Sequence, residues 1–161
     1  MLGIVFVERR TTALLLAEVI RRRSQEDPDL KHIQCDYLVG HSSGTNSGDT
    51  YLRKEARMSH KKQNEQLQQF RREKINLLIA TGVVEEGLDV PKCNMVCRFD
   101  LPPNFRSYIQ SKGRARAKGS VFYLLMDMAC AADQKSMIDD YRLLEEELNA
   151  ICHERVVPDE E

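Results

Sequence analysis

Residues 77–94 read LLIATGVVEEGLDVPKCN, and this stretch decides the fold. Asn76 to Ala80 forms an apolar run too short for a buried helix, so it reads as a strand. The chain then enters a turn punctuated by Gly82 and Gly87, and Pro91 stops any helix begun between them. Working outward, similar strand signals stand at Gly3 to Val7, Tyr37 to Val39 (ending at Gly40), Met95 to Phe99 and Val121 to Met126, the last predicted as a buried strand. Helical compositions lie between them. Ala13 to Arg23 follows a threonine cap at Thr11 and Thr12. A second helix runs from a Ser59 cap to about Glu73 with Leu67 and Phe70 inward, and Phe105 to Ser111 follows the break at Pro102 and Pro103. His41 to Thr50, built of Ser, Gly, Thr, Asn and Asp, reads as an exposed loop. Strands alternating with helices predict an α/β fold, an open parallel sheet flanked by helices with ligands at the carboxyl ends of the strands.

At 161 residues, 42% hydrophobic and 30% charged, the chain has room for one globular domain with an appended helix, and wholesale disorder is excluded. From Ala132 to Cys152 the apolar positions Met137, Tyr141, Leu144, Leu148 and Ile151 follow a 4-3-4-3 spacing, a helix with one narrow seam. That seam either packs on its own domain or meets a partner helix. We therefore divide the chain into 1–131 and a C-terminal extension, 132–161. No stretch approaches the roughly 18 apolar residues of a membrane span, and Met1 to Val7 is too short for a signal peptide and runs into Glu8, Arg9 and Arg10. A soluble cytoplasmic protein without a membrane partner is expected. The five cysteines form no CxxC pair and the four histidines no HExxH, so neither disulfides nor a metal site are expected, and Cys93, Met95 and Cys97 alternate as core residues of a strand.

Net charge is −1, unevenly spread. Asp139 to Glu161 holds nine acidic and two basic residues, whereas Arg53 to Lys74 carries eight basic against three acidic, and Arg106 to Lys118 five basic and none acidic. The two positive stretches are either polyanion-binding patches or solvated faces. The second contains Gln110 to Ala117, QSKGRARA, in which Arg114 and Arg116 sit beside a glycine. Guanidinium forks onto two phosphate oxygens, so this pair can bracket a terminal phosphate; taken bare, GRAR is also an ordinary basic turn. In the opening stretch, Thr81 and Gly82 offer a hydroxyl and backbone amides small enough to approach a nucleic-acid phosphate. Gly87 is a tight position, and the Asp89 carboxylate can accept hydrogen bonds from ribose hydroxyls.

GIVFVERR at Gly3 to Arg10, LVGHSSG at Leu38 to Gly44, IATGVVEEGLDVPKCN at Ile79 to Asn94 and YIQSKGRARA at Tyr108 to Ala117 resemble motifs IV, IVa, V and VI of superfamily 2 helicases, in the right order. VVEEGLDVPKCN followed by RFDLPPNFRSYIQSKGRARA resembles the animal Dicer family over nearly the whole chain and, less closely, the RIG-I-like receptors. The resemblance implies the second RecA-like lobe of a helicase region. Its parent would be an endoribonuclease of the ribonuclease III type that cuts double-stranded RNA or pre-microRNA into small silencing RNAs, with the microRNA-producing animal enzymes the nearer likeness.

By the same resemblance, Gln110, Arg114 and Arg116 face the γ-phosphate of ATP as catalytic residues, Gly87 and Asp89 hold the nucleotide through its ribose, and Gly40, His41, Thr81 and Gly82 face the RNA backbone. Arg116 stands one place earlier than the second arginine of DEAD-box motif VI, which leaves its reach to the loop geometry. The chain shows no GxxxxGK[ST] loop, no helicase motif II and no ribonuclease acidic cluster. An excised piece of a longer chain, inactive by itself, is therefore expected, with ATP and its Mg held mainly by the first RecA-like lobe. The rival expectation is an ATP-independent scaffold that recognises pre-microRNA loops or docks a double-stranded-RNA-binding partner protein.

Overall fold

The computed structural model describes residues 1–40, 58–82 and 89–154. Five parallel strands form one sheet in the order β2-β3-β1-β4-β5, with β1 at Gly3–Phe6, β2 at Cys35–Leu38, β3 at Leu77–Ala80, β4 at Met95–Arg98 and β5 at Val121–Leu124. β1 and β3 are buried along their whole length, as continuous apolar runs in the middle of a parallel sheet must be. Gly3, Leu77 and Met95 share one register position, and a Cβ on Gly3 would lie 2.9 Å from Met95 Cε, so glycine there lets two larger side chains cross the sheet. Because all strands run one way, the segments after β1, β2, β3 and β4 open at the same edge. The chain leaves β1 toward β2 and later leaves β4 toward β5 on the other side, so the crevice favoured for ligands lies at that edge between these neighbours.

The helices are α1 (Arg10–Glu26), α2 (His60–Arg71), α3 (Phe105–Lys112) and α4 (Ala131–Glu154), with short 3₁₀ turns at Pro28–Leu30 and Met128–Cys130. α1 is not capped by a threonine. It starts at Arg10 behind an extended Arg9 that makes no side-chain cap, which puts Thr11 and Thr12 inside the first turn. Ser59 does cap α2, its Oγ accepting from Lys62 N at 3.2 Å, and Leu67 and Phe70 point inward. Gln63 is buried beside them because its amide donates to the Val39 carbonyl at 2.5 Å, satisfying backbone just past β2. α2 closes with paired bonds from Glu73 N to Phe70 O and Lys74 N to Gln69 O, and Glu73 takes the left-handed conformation at φ 56°.

β5 is an edge strand and not the buried strand its apolar run suggested. Val121 and Tyr123 stand exposed on one face, and only Phe122 and Leu124 turn toward the helices on the other. On that side Tyr108 of α3, 1% exposed, meets Phe122 edge-on at 5.9 Å and Tyr141 of α4 at 5.6 Å. α4 is anchored by Ile138, which the 4-3-4-3 seam omitted; Leu144, Leu148 and Ile151 of the seam are exposed. No described helix is long and apolar enough to cross a membrane.

Candidate functional site

The register pairs Leu38 with Ala80, so the residues that follow β2 and β3 emerge side by side. Thr81 is buried and its N–H donates to the Leu38 carbonyl at 3.2 Å. Gly82 is exposed just beyond, and Gly40 is half-buried two residues past β2. These three small residues thus line one corner of the carboxyl edge. His41, Gly87 and the loop predicted at His41 to Thr50 lie outside the described residues.

At the opposite, amino edge of the sheet, where Asn94 N donates to the Leu2 carbonyl and Val121 N to the Asn94 carbonyl at the starts of β4 and β5, two distant stretches of sequence meet. The GRAR turn therefore precedes a strand and does not lie at the carboxyl ends where ligands were expected. Cys93 N donates to the Arg114 carbonyl at 3.3 Å, and Ala117 N donates to the Cys93 carbonyl at 3.4 Å, so the end of the GLDVPKC segment is stitched to the GRAR turn. The Cys93 thiol is buried against the Pro91 carbonyl at 3.3 Å. Burial pushes its pKa up to about 11, and the nearby positive charge of Arg114 opposes that rise only in part. Arg114 is half-buried at this joint. Asp89 precedes it by a few residues, its side chain 92% exposed and engaged by Arg71 at the end of α2.

The remaining predicted residues are placed differently. Arg116 is exposed and folds back on its own turn, Nε donating to the Gly113 carbonyl at 2.6 Å. Gln110 lines a cleft of about 380 Å³ between α3 and α4, together with Phe105, Ile109 and Leu148. The joint between those helices is polar as well as aromatic. Lys112 Nζ lies 2.5 Å from Glu145 and over the Tyr108 ring at 5.5 Å. Desolvation pulls the Lys112 pKa down, but the hydrogen bond it donates to Glu145 and the charges of Tyr108 and Glu145 leave it raised overall. Among the described residues, no three His, Cys, Asp or Glu side chains gather as a metal-binding group.

Two residues escaped sequence reasoning. Arg71 looked like one cation in a basic stretch, and only the tertiary fold brings it to Asp89. Arg98 lies unremarked within the Met95 to Phe99 strand signal, yet it is 3% exposed, with Nε donating to the Asp100 carbonyl and Nη1 to Ser107 Oγ, both at 3.1 Å. It thereby ties β4 to the helix that carries Gln110. Asn104 caps that helix by accepting from Ser107 N at 2.9 Å.

Residues 3–118 match the helicase conserved C-terminal domain. The chain is 44% identical over 150 residues to an endoribonuclease Dicer of Danio rerio, covering 93% of this chain and 8% of that protein. It is 43% identical over 154 residues to the Dicer of Gallus gallus, covering 96% of this chain and again 8% of the relative. The chain thus spans only a small part of the curated relatives it matches. In three dimensions it is similar to the C-terminal domain of the DEAD-box protein Dbp5, with a TM-score of 0.64 at 18% identity, covering 91% of this chain and 71% of the other. At that identity the likeness establishes the fold, a RecA-like parallel sheet flanked by helices.

Proposed function

The chain belongs to the helicase conserved C-terminal domain family, and on that premise we propose that it is the second RecA-like lobe of a Dicer-type helicase region, closing with a first lobe around ATP and double-stranded RNA. The observation that carries this reading is the pair of backbone bonds between Cys93 and the 114–117 turn, which brings the carboxylate-bearing segment and the arginine-bearing turn together at the amino edge of the sheet. Chemically, the two sides differ as the two ends of a nucleotide differ. Asp89 offers acceptors suited to ribose hydroxyls, and Arg114 offers a fixed positive charge suited to a terminal phosphate. The donor set fits ATP. Bound nucleotide supplies the phosphoryl group that is transferred, with magnesium and its lysine partner held by the first lobe.

In this reading Arg114 neutralises charge on the γ-phosphate, while Thr81, Gly82 and Gly40 form the small-residue corner that approaches RNA phosphates. His41, Gly87, Gln110 and Arg116 belong to the same proposal. Gln110 and Arg116 require rearrangement on closure, Gln110 away from the α4 cleft and Arg116 away from the Gly113 carbonyl. Contacts to RNA of this kind read A-form shape and phosphates, not sequence. The parent would then process double-stranded RNA or pre-microRNA for gene silencing in the cytoplasm.

The exposed Leu144, Leu148 and Ile151 on α4 favour a second reading, an ATP-independent scaffold for pre-microRNA loops or for a double-stranded-RNA-binding partner protein. One experiment separates the two. In a protein carrying both lobes, Arg114→Ala is expected to lower RNA-stimulated ATP hydrolysis by roughly 10³-fold or more, the usual cost of losing an arginine finger. An unchanged ATPase rate removes the catalytic role, and processing that persists without any ATPase supports the scaffold.

A further inference from the structure

Arg71 is the last residue of α2, and its guanidinium makes a fork onto Asp89. Nε and Nη2 donate to the Asp89 backbone carbonyl at 3.1 and 2.6 Å, and Nη2 also reaches the carboxylate Oδ2 at 3.2 Å. A single planar group therefore fixes both the backbone and the side chain of one residue. Oδ1 makes no hydrogen bond or ion pair with a described residue, and the Asp89 side chain remains 92% exposed. The carboxylate is held by one oxygen and presents the other to solvent.

Both anchors of this arrangement are rigid. On one side, the 5→2 and 6→1 bonds after Phe70 and Gln69 lock the end of α2 and so fix where the Arg71 side chain starts. On the other, Val90 precedes Pro91, which restricts its backbone to extended conformations, and Cys93 is stitched to Arg114 and Ala117. Asp89 sits between them. Lysine cannot reproduce the fork, because its point charge has no planar pair of donors to span a carbonyl and a carboxylate at once.

We propose that Arg71 is a positioning residue. It holds the Asp89 carboxylate at the angle from which Oδ1 accepts a hydrogen bond from a ribose hydroxyl, and so sets the preference of the lobe for ribonucleotides over deoxyribonucleotides. This rests on the reading of Asp89 as the ribose acceptor. Discrimination of this kind is sensitive to position, since a carboxylate that swings freely in water loses little when a hydroxyl is missing.

The test uses a protein carrying both lobes and a fluorescent ATP labelled on its γ-phosphate, displaced in turn by ATP, 2′-deoxy-ATP and 3′-deoxy-ATP. The unaltered protein is expected to favour ATP over at least one deoxy analogue by about tenfold, the worth of one charge-assisted hydrogen bond. Asp89→Ala and Arg71→Ala should each erase that ratio by weakening ATP while leaving the deoxy analogue unchanged, and Arg71→Lys should restore it only partly. If Asp89→Ala erases the ratio and Arg71→Ala keeps it, the positioning role is overturned and the ribose reading stands. If neither variant alters the ratio, or no nucleotide binds, the ribose reading fails and takes the inference with it. A uniform weakening of all three nucleotides by Arg71→Ala, or full restoration by Arg71→Lys, reveals a merely structural cation and also overturns it. Should Arg71→Ala fold poorly, Arg71→Gln gives the same ratio test.

Discussion

The two halves of the sheet are held together by different means. Around β2, β3 and β1, Leu38, Leu78, Ile79, Ile4 and Phe6 are almost wholly sealed from water. Around β4 and β5, Tyr123 is 51% exposed and Leu148 of the covering helix 49%. That second half relies on directional clamps: the buried Arg98 guanidinium on Ser107 and over the Phe6 ring, the Tyr108 aromatic cluster, and Lys112 on Glu145. Apolar burial is tolerant of detail, whereas such clamps demand particular atoms at particular distances. The difference matters for the site. The small-residue corner after β2 and β3 grows from the dry half, and the arginine-bearing turn grows from the clamped half.

The largest test of this contrast is a pair of truncations. Phe6→Ala is expected to cost about 3–5 kcal/mol, because it empties a fully packed position in the central strand. Leu148→Ala should stay within about 0.5 kcal/mol, since half of that side chain already faces water. Urea unfolding of both variants decides it. A loss above about 1 kcal/mol for Leu148→Ala would show that the distal part of α4 is covered, and the contrast between the halves would break.

Alkaline pH probes burial in both halves through the thiols. Burial pushes Cys35 of β2 to about 12, with Asp36 adding to and Arg21 opposing that rise, and pushes Cys93 to about 11. A thiol whose folded pKa exceeds its unfolded value stabilises the fold fully below the unfolded value. That contribution is lost as pH climbs through the folded one. Stability should therefore fall between pH 9 and about 12, the interval from the ordinary thiol value to the raised ones, and the Cys35→Ala, Cys93→Ala double variant should show a shallower fall. At pH 8 the exposed Cys130 and Cys152 should react with a thiol reagent at once, while Cys35 and Cys93 wait for unfolding. Immediate labelling of Cys35 in the native protein would contradict the dry half.

Much of the dry half was legible in the sequence, because strands buried on both faces must be uninterrupted apolar runs and Ser59 carries its capping chemistry in its side chain. What failed was whatever depends on neighbours far along the chain. The apolar run at Val121 gives no sign that β5 has a partner on one side only. Gln63 counts as polar in any periodicity, yet it is buried through a bond to Val39. Ile138 falls outside the narrow seam but anchors α4, because Tyr108 and the helix-bearing face of the sheet set which side of α4 turns inward. At the site, the glycines, Thr81 and Asp89 are unusual residues after strands, and Arg114 belongs to a conspicuous basic turn between α3 and β5. Arg71 did not, since a lone arginine at a helix end is ordinary until its partner, 18 positions later, is known.

The smallest expected effect lies at that same helix end. Glu73 occupies the left-handed position that closes α2, where a residue with a Cβ is strained by about 1–2 kcal/mol and glycine is not. Glycine also loosens the unfolded chain, offsetting about 0.4–1 kcal/mol of that relief. Glu73→Gly should therefore stabilise the protein by about 0.5–1 kcal/mol, read as a higher urea midpoint with unchanged slope. Because the paired bonds to Phe70 and Gln69 use backbone only, the variant keeps the end of α2 and the Arg71 fork in place, and nucleotide preference should not move. Destabilisation instead would mean that the Glu73 side chain, and not the backbone geometry, holds the helix end. The rigidity assigned to Arg71 would then have a different source.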